Sequence, residues 1–215
     1  MLLEQEFELP LEALLNWLAK ENKAGDLGLD LPSAPTIGEP IVLRGIIDRV
    51  DEKVTAAAAQ FRQAAIIDYK TGKIPTAKDV SGLNDLQILL YTVALESGAV
   101  LKAPEGTWLV SEGFYYGITK DLKGAPKTKH LSCGDPDGRA LLADGALALA
   151  HLAMDAADHD QEFALIPAER AGEGEKNLPC RYCDFRGVCR VEERIPEGPT
   201  ALKLDKMVNR KDGAW

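Results

Sequence analysis

The chain lacks any apolar run near the roughly 20 residues that a transmembrane helix needs. Its first residues, Met1 to Glu6, contain neither the basic segment nor the long apolar segment of a secretory signal peptide. It also contains neither Gly-x-Ser-x-Gly nor His-Glu-x-x-His, which mark many serine hydrolases and zinc peptidases. These absences favour a soluble, cytoplasmic protein that belongs to neither hydrolase class.

Basic residues are also scarce, because 25 Lys and Arg stand against 34 Asp and Glu, for a net charge of -9. Affinity for nucleic acid comes largely from Lys and Arg that neutralise phosphates. An acidic enzyme with a small-molecule substrate is therefore one interpretation. DNA stays open as a substrate, since a metal site needs acids, basic residues can group on one face, and a partner protein can deliver the DNA.

The 215 residues are 46% hydrophobic, which is enough for one core of ordinary size. Hydrophobic periodicity predicts helices and strands in mixed order, and hence an α/β sandwich with a mixed central β-sheet flanked by helices. The predicted helices are Leu9–Asn22, Leu83–Glu96 and Asp137–Asp158, and the predicted strands are Ile41–Asp51, Ala64–Lys70, Thr107–Val110 and Phe114–Thr119. We divide the chain into an N-terminal helix and linker (1–40), a core (41–170) and a cysteine-containing tail (171–215).

Two of the predicted strands carry acidic residues within short motifs. Asp48 lies in Gly-Ile-Ile-Asp-Arg, and Asp68 and Lys70 lie in Ile-Asp-Tyr-Lys-Thr-Gly. Since side chains alternate along a strand, Asp68 and Lys70 point to one side and Tyr69 points away. Two carboxylates suit a hard divalent cation, to which the Tyr69 carbonyl could add a third oxygen. Lys70 could then hold an attacking water or offset charge on the phosphorus.

A third motif lies on the apolar helix that follows. Gln87 and Tyr91 are four residues apart and share a helix face, so they could reach the same cleft. Each of the two acidic motifs alone is also compatible with ordinary surface ion pairs. The three motifs in this order favour a catalytic site for metal-dependent cleavage of phosphodiester bonds.

Together these segments resemble the PD-(D/E)XK nucleases of the RecB type, which include the nuclease domains of RecB and AddB and CRISPR-associated exonucleases. The resemblance covers about Ile41 to Arg190 and implies a restriction-endonuclease-like fold. It also implies Mg²⁺- or Mn²⁺-dependent cleavage of DNA, as an exonuclease in DNA end processing and double-strand break repair, beside a helicase subunit or helicase domain. The residues that it implies are metal ligands Asp48 and Asp68, catalytic Lys70, and Gln87 and Tyr91 as the extra motif of this subgroup.

The cysteines of the tail have metal-ligand spacing. Cys180 and Cys183 are separated by two residues, and Cys189 follows after five more. Zinc, an iron-sulfur cluster and unpaired structural cysteines all remain open on spacing alone, whereas a cytosolic disulfide is the weaker explanation.

The resemblance favours a 4Fe-4S cluster, for which relatives supply a fourth cysteine well before the first aspartate. This chain has no cysteine before Cys133, which follows the catalytic motifs and does not match that ligand. Relatives also carry a histidine upstream of the first aspartate, whereas the histidines here are His130, His151 and His159. We therefore expect a C-terminal part of a longer nuclease or helicase-nuclease subunit, which holds its cluster poorly.

A competing hypothesis is a catalytically degenerate module that uses the same fold to bind DNA or a helicase. The complete set of expected catalytic residues argues against it.

Overall fold

The computed structural model describes residues 1–32, 40–53, 61–72, 74–83, 85–101, 103–104, 106–118 and 128–157. They form five strands and four helices. The strands are β1 (Leu2–Pro10), β2 (Val42–Lys53), β3 (Arg62–Lys70), β4 (Trp108–Gly117) and β5 (Thr128–Ser132). The helices are α1 (Leu11–Gly25), α2 (Ala77–Ser81), α3 (Gln87–Glu96) and α4 (Pro136–Ala157). Within this part of the chain, no helix is long and apolar enough to cross a membrane.

The strands form one mixed sheet in the order β1-β2-β3-β4-β5. β3 and β4 run parallel, and the other neighbours are antiparallel. The parallel pair needs a crossover connection, which α2 and α3 provide between the two strands. The predicted α/β class with a mixed central sheet is confirmed.

Several elements differ from the predictions. The two strands expected at 107–110 and 114–119 are one continuous strand, β4, so that prediction is wrong. β1 lies within the segment predicted as helix and linker, and it pairs with β2 from Leu2 to Pro10 at every residue except Glu4. α2 and β5 were also not predicted, and the helix expected from Leu83 begins at Gln87. The cysteine tail (171–215) lies outside the described residues.

α3 lies in the core of the described residues because it is apolar on nearly every side. It packs on β3 and β4 and contacts α4 on its other side, and seven of its residues are buried: Ile88, Leu89, Tyr91, Thr92, Val93, Ala94 and Leu95. Two glycines permit the close approach. A Cβ on Gly113 of β4 would lie 2.4 Å from Ile88 Cγ2, and one on Gly145 of α4 would lie 2.5 Å from Leu89 Cδ1. These two close contacts set the distances from α3 to the sheet and to α4.

A largely buried ionic network joins α1, α3, α4 and β4. The Arg139 guanidinium donates to both oxygens of Glu96, at 2.8 and 2.9 Å, and pairs with Glu21 at 2.6 Å. Glu96 also accepts hydrogen bonds from Trp17 Nε1, at 2.9 Å, and from the Val110 backbone N–H, at 2.8 Å. The network holds the C-terminal end of α3 in place.

Candidate active site

The site begins where β2 and β3 stop pairing through their backbones. The register runs from Lys53↔Gln63 to Arg49↔Ile67. Beyond that pair, the Tyr69 backbone N–H donates to Asp48 Oδ2 at 2.8 Å. A side-chain carboxylate therefore occupies the place of a backbone acceptor, and Asp48 is brought beside Asp68.

Asp68 is almost completely enclosed, with 2% of its surface exposed. Its Oδ2 lies 2.7 Å from Lys70 Nζ. Burial raises the pKa of Asp68, and the nearby charges of Asp48 and Asp85 raise it further, whereas the ion pair with Lys70 lowers it. Burial, the largest effect, outweighs the ion pair. Counted as formal charges, the three carboxylates of Asp48, Asp68 and Asp85 outnumber the single ammonium of Lys70.

Gln87 and Tyr91 of α3 complete the cluster from above the sheet. Lys70 Nζ donates to Gln87 Oε1, and Gln87 Nε2 donates to the Tyr91 hydroxyl at 3.4 Å. Burial raises the pKa of Tyr91, and the charge of Asp68 adds to this effect. The structure thus brings together the side chains of all five residues predicted as catalytic.

The side chain and the backbone groups of Tyr69 point in different directions. Its side chain points away from Asp68 and Lys70, as predicted, and its hydroxyl accepts a hydrogen bond from Arg49 Nη1 at 3.1 Å. Arg49 is paired in turn with Asp51 at 2.6 Å. In an extended strand the N–H and C=O of one residue point to the same side. The Tyr69 carbonyl therefore points toward β2, where Asp48 receives the N–H.

Two further residues of this cluster, Tyr115 and Asp85, were not predicted from the sequence. The Tyr115 hydroxyl of β4 donates to Asp85 Oδ1 at 2.5 Å, and the Tyr115 ring centroid lies 5.5 Å from Lys70 Nζ. Asp85 Oδ1 also accepts the Gln87 backbone N–H at 3.3 Å. The proximity of Asp85 to Gln87 in the chain was an available signal, whereas no spacing links Tyr115 to Lys70.

The donor set fits a hard divalent cation. Two carboxylates converge with surplus negative charge, and a backbone carbonyl points toward the same strand edge. Among the described residues, no three His, Cys, Asp or Glu side chains gather at one point. A cation here would therefore depend on Asp48, Asp68, a backbone oxygen and water, which suits magnesium better than zinc.

Other cysteines and histidines were considered as ligands from the sequence. Cys180, Cys183 and Cys189, together with His159, fall outside the described residues. Cys133 is a fully buried core residue, and burial raises the pKa of its thiol to about 12. A neutral, enclosed thiol is a poor metal ligand. His151 lies on α4 and His130 on β5, as ordinary residues of those elements.

Comparison with known families agrees with this geometry. The family model of the PD-(D/E)XK nuclease superfamily matches residues 2–190, a range that includes all nine described elements. The chain belongs to the PD-(D/E)XK nuclease superfamily. Members of this superfamily are generally nucleases that use divalent metals, so the membership indicates a nuclease with DNA as its substrate. A search of the curated proteins finds no match.

Proposed function

We propose that this PD-(D/E)XK chain is a Mg²⁺- or Mn²⁺-dependent deoxyribonuclease of the RecB and AddB type. The grouping of Asp48, Asp68 and Lys70, where β3 ends and β2 no longer pairs with it, carries the proposal. One ammonium faces two carboxylates there, and Asp85 adds a third negative charge nearby. A buried surplus of negative charge is costly unless a cation compensates it.

Asp48, Asp68 and the Tyr69 carbonyl would hold the divalent ion. When bound, the ion would neutralise the non-bridging phosphate oxygens and lower the pKa of a bound water. The carboxylates of Asp48 and Asp68 serve here because their oxygens are hard donors on two adjacent strands, fixed by the backbone rather than by a loop.

Lys70 provides a second positive charge at the site, which comes from the protein rather than from the metal ion. Its ammonium is tied to Asp68 at 2.7 Å and donates to Gln87. While it makes both contacts, the compact charge of the ammonium remains directed at the space beside the carboxylates of Asp48 and Asp68. There it can orient the attacking water and stabilise charge on the phosphorus in the transition state. Gln87 and Tyr91 keep the ammonium in that position from the helix side.

The finer parts of the proposal rest on the resemblance in motif order. We propose that the chain acts as an exonuclease in DNA end processing and double-strand break repair. Its proposed partner is a helicase subunit or helicase domain. A 4Fe-4S cluster on Cys180, Cys183 and Cys189 also belongs to this proposal, and their spacing supports it. Iron and acid-labile sulfide assays on the purified chain test the cluster. With no cysteine before Asp48 the chain should hold it poorly, so amounts well below stoichiometric are expected, and stoichiometric iron and sulfide would contradict that expectation.

Cleavage of end-labelled linear DNA tests the activity. Single- and double-stranded substrates are incubated with Mg²⁺ or Mn²⁺ and the parent protein, Lys70→Ala or Lys53→Ala. Lys53 is an exposed lysine at the end of β2 and provides the matched control. We expect the parent and Lys53→Ala to cleave and Lys70→Ala to lose most cleavage while it remains folded. Metal-dependent DNA binding without cleavage by the parent would instead indicate a degenerate binding module.

A further inference from the structure

Tyr115 forms the floor of the site beneath the catalytic lysine. It is opposite Asp68 in the parallel pairing of β3 with β4, and only 1% of its surface is exposed. Its ring centroid lies 5.5 Å from Lys70 Nζ, within the range of a cation–π interaction. The ring therefore contacts the ammonium from a third direction, in addition to Asp68 and Gln87.

Asp85 fixes the orientation of this ring. The Tyr115 hydroxyl donates to Asp85 Oδ1 at 2.5 Å, and the same oxygen accepts the Gln87 N–H at 3.3 Å. The Ile88 backbone also hydrogen-bonds the phenol. Burial raises the pKa of Tyr115, so the hydroxyl remains a donor. Hydrogen bonds through Asp85 thus link the ring to the first turn of α3 and to Gln87.

We propose that Tyr115 is a positioning residue for Lys70 and that Asp85 acts through it. The proposal rests on the proposed nuclease function, in which Lys70 directs a charge at the phosphate. A lysine side chain has many rotamers, and ordering it is entropically costly. Contacts with Asp68, Gln87 and the face of the Tyr115 ring restrict the ammonium to one place before DNA binds. The entropy cost of ordering the lysine side chain in the transition state is therefore smaller.

The placement of Lys70 can be measured without any activity. In protein labelled with [¹³Cε]lysine, the Lys70 signal is assigned through its loss in Lys70→Arg. A ring current from Tyr115 should shift that signal upfield in the parent. The shift should be smaller in Tyr115→Phe, which keeps the ring but loses the hydrogen bond to Asp85, and absent in Tyr115→Leu. Asp85→Ala should reduce the shift, because the ring loses its anchor. An unshifted signal in the parent, or an unchanged shift in Tyr115→Leu, would overturn the proposal.

Kinetics separate positioning from simple core packing. We expect kcat of Tyr115→Leu to fall about tenfold, with KM for DNA unchanged, because a desolvated cation–π contact is worth about one power of ten in rate. Tyr115→Phe should retain kcat within about threefold, since it keeps the ring. In the Lys70→Ala background, Tyr115→Leu should have no further effect on residual cleavage.

The two proposals fail in different ways. An equal loss of kcat from Tyr115→Leu with and without Lys70 would show that the tyrosine only fills the core. Absence of cleavage by the parent would contradict the nuclease function, and the lysine signal would still decide whether Tyr115 positions Lys70. Thermal unfolding of each variant confirms that the compared proteins are folded.

Discussion

The two ends of α3 hold two buried charge clusters that are built in opposite ways. At the C-terminal end, each oxygen of Glu96 accepts two hydrogen bonds, and Arg139 also pairs with Glu21. At the N-terminal end, Lys70 faces Asp68 while the charges of Asp48 and Asp85 lie close by. In the first cluster one guanidinium pairs with two carboxylates, and both oxygens of Glu96 are hydrogen-bonded twice. In the second, three carboxylates lie near one ammonium whose ion pair is with Asp68, so negative charge remains unsatisfied.

This contrast separates charges that hold the fold from charges that serve a reaction. Breaking a satisfied buried pair leaves an uncompensated charge, so the fold depends on both partners. A surplus of like charge works against the fold and raises the pKa of one member, which is a frequent property of functional sites. Opposite effects on stability are therefore expected when each cluster is neutralised.

The largest expected effect is on activity, in Asp68→Asn. The amide keeps the shape of the carboxylate but removes a cation ligand, so cleavage of DNA should fall by at least about 10³-fold. The free energy of unfolding should stay the same or rise, because a buried repulsive charge is gone. Asp51→Asn is the matched control, since Asp51 pairs with Arg49 rather than with the cluster. Equal losses of cleavage in both variants would contradict this assignment.

Arg139→Leu tests the satisfied cluster. We expect the free energy of unfolding to fall by roughly 3 kcal/mol, because Glu96 and Glu21 lose their shared cation in a largely buried place. Urea unfolding measures the change. Arg44 pairs with Glu8 at 3.0 Å, but its side chain is 70% exposed. Arg44→Leu should therefore change stability by less than about 0.5 kcal/mol; a comparable loss there would remove the distinction between buried and surface pairs.

Gly113→Ala tests how both clusters depend on the height of α3 above the sheet. The added Cβ would lie 2.4 Å from Ile88 Cγ2, so the helix must shift. Overpacking of this kind costs about 1–3 kcal/mol. Cleavage should fall as well, because Gln87 precedes Ile88 and moves with it. Gly72→Ala meets no atom within 4 Å and is the control; unchanged urea unfolding and cleavage in Gly113→Ala would mean that α3 is not held at this point.

The smallest effect is a pH dependence of stability in metal-free buffer. The pKa of Asp68 is raised in the folded state, so the folded protein binds its proton more tightly than the unfolded chain. Stability should therefore decline as pH rises above the ordinary aspartate pKa of about 3.9 toward the raised value. Asp68→Asn should show no such decline from this residue, because an amide does not titrate in this range. Urea unfolding across that window should show a gap between variant and parent that widens with pH; a narrowing gap would contradict the burial argument.

The sequence was sufficient for the elements whose pattern is local. Asp48, Asp68 and Lys70 lie on strands that alternate in a readable way, and Gln87 and Tyr91 lie one helical turn apart. The structure brings these five residues together, and their catalytic roles remain predictions.

What the sequence could not provide depends on long-range pairing. Tyr115 lies beneath Lys70 because β3 and β4 pair in parallel, with a register shift between Ala64 and Ala65. No local pattern encodes that register. β5 was missed because its outer residues Thr128, Lys129 and His130 are exposed and show no apolar alternation. β1 was missed although Gln5, Phe7 and Leu9 alternate as buried residues with exposed glutamates between them, a pattern typical of a strand.

Mn²⁺ binding by calorimetry tests the central claim most directly, namely that the unsatisfied cluster is a divalent-cation site. The parent and Asp51→Asn should bind Mn²⁺ with similar affinity, whereas Asp48→Asn and Asp68→Asn should lose binding. Such a pattern would show that the surplus charge beside Lys70 serves a cation. Binding that survives in both Asp48→Asn and Asp68→Asn, or no binding by the parent, would contradict the account.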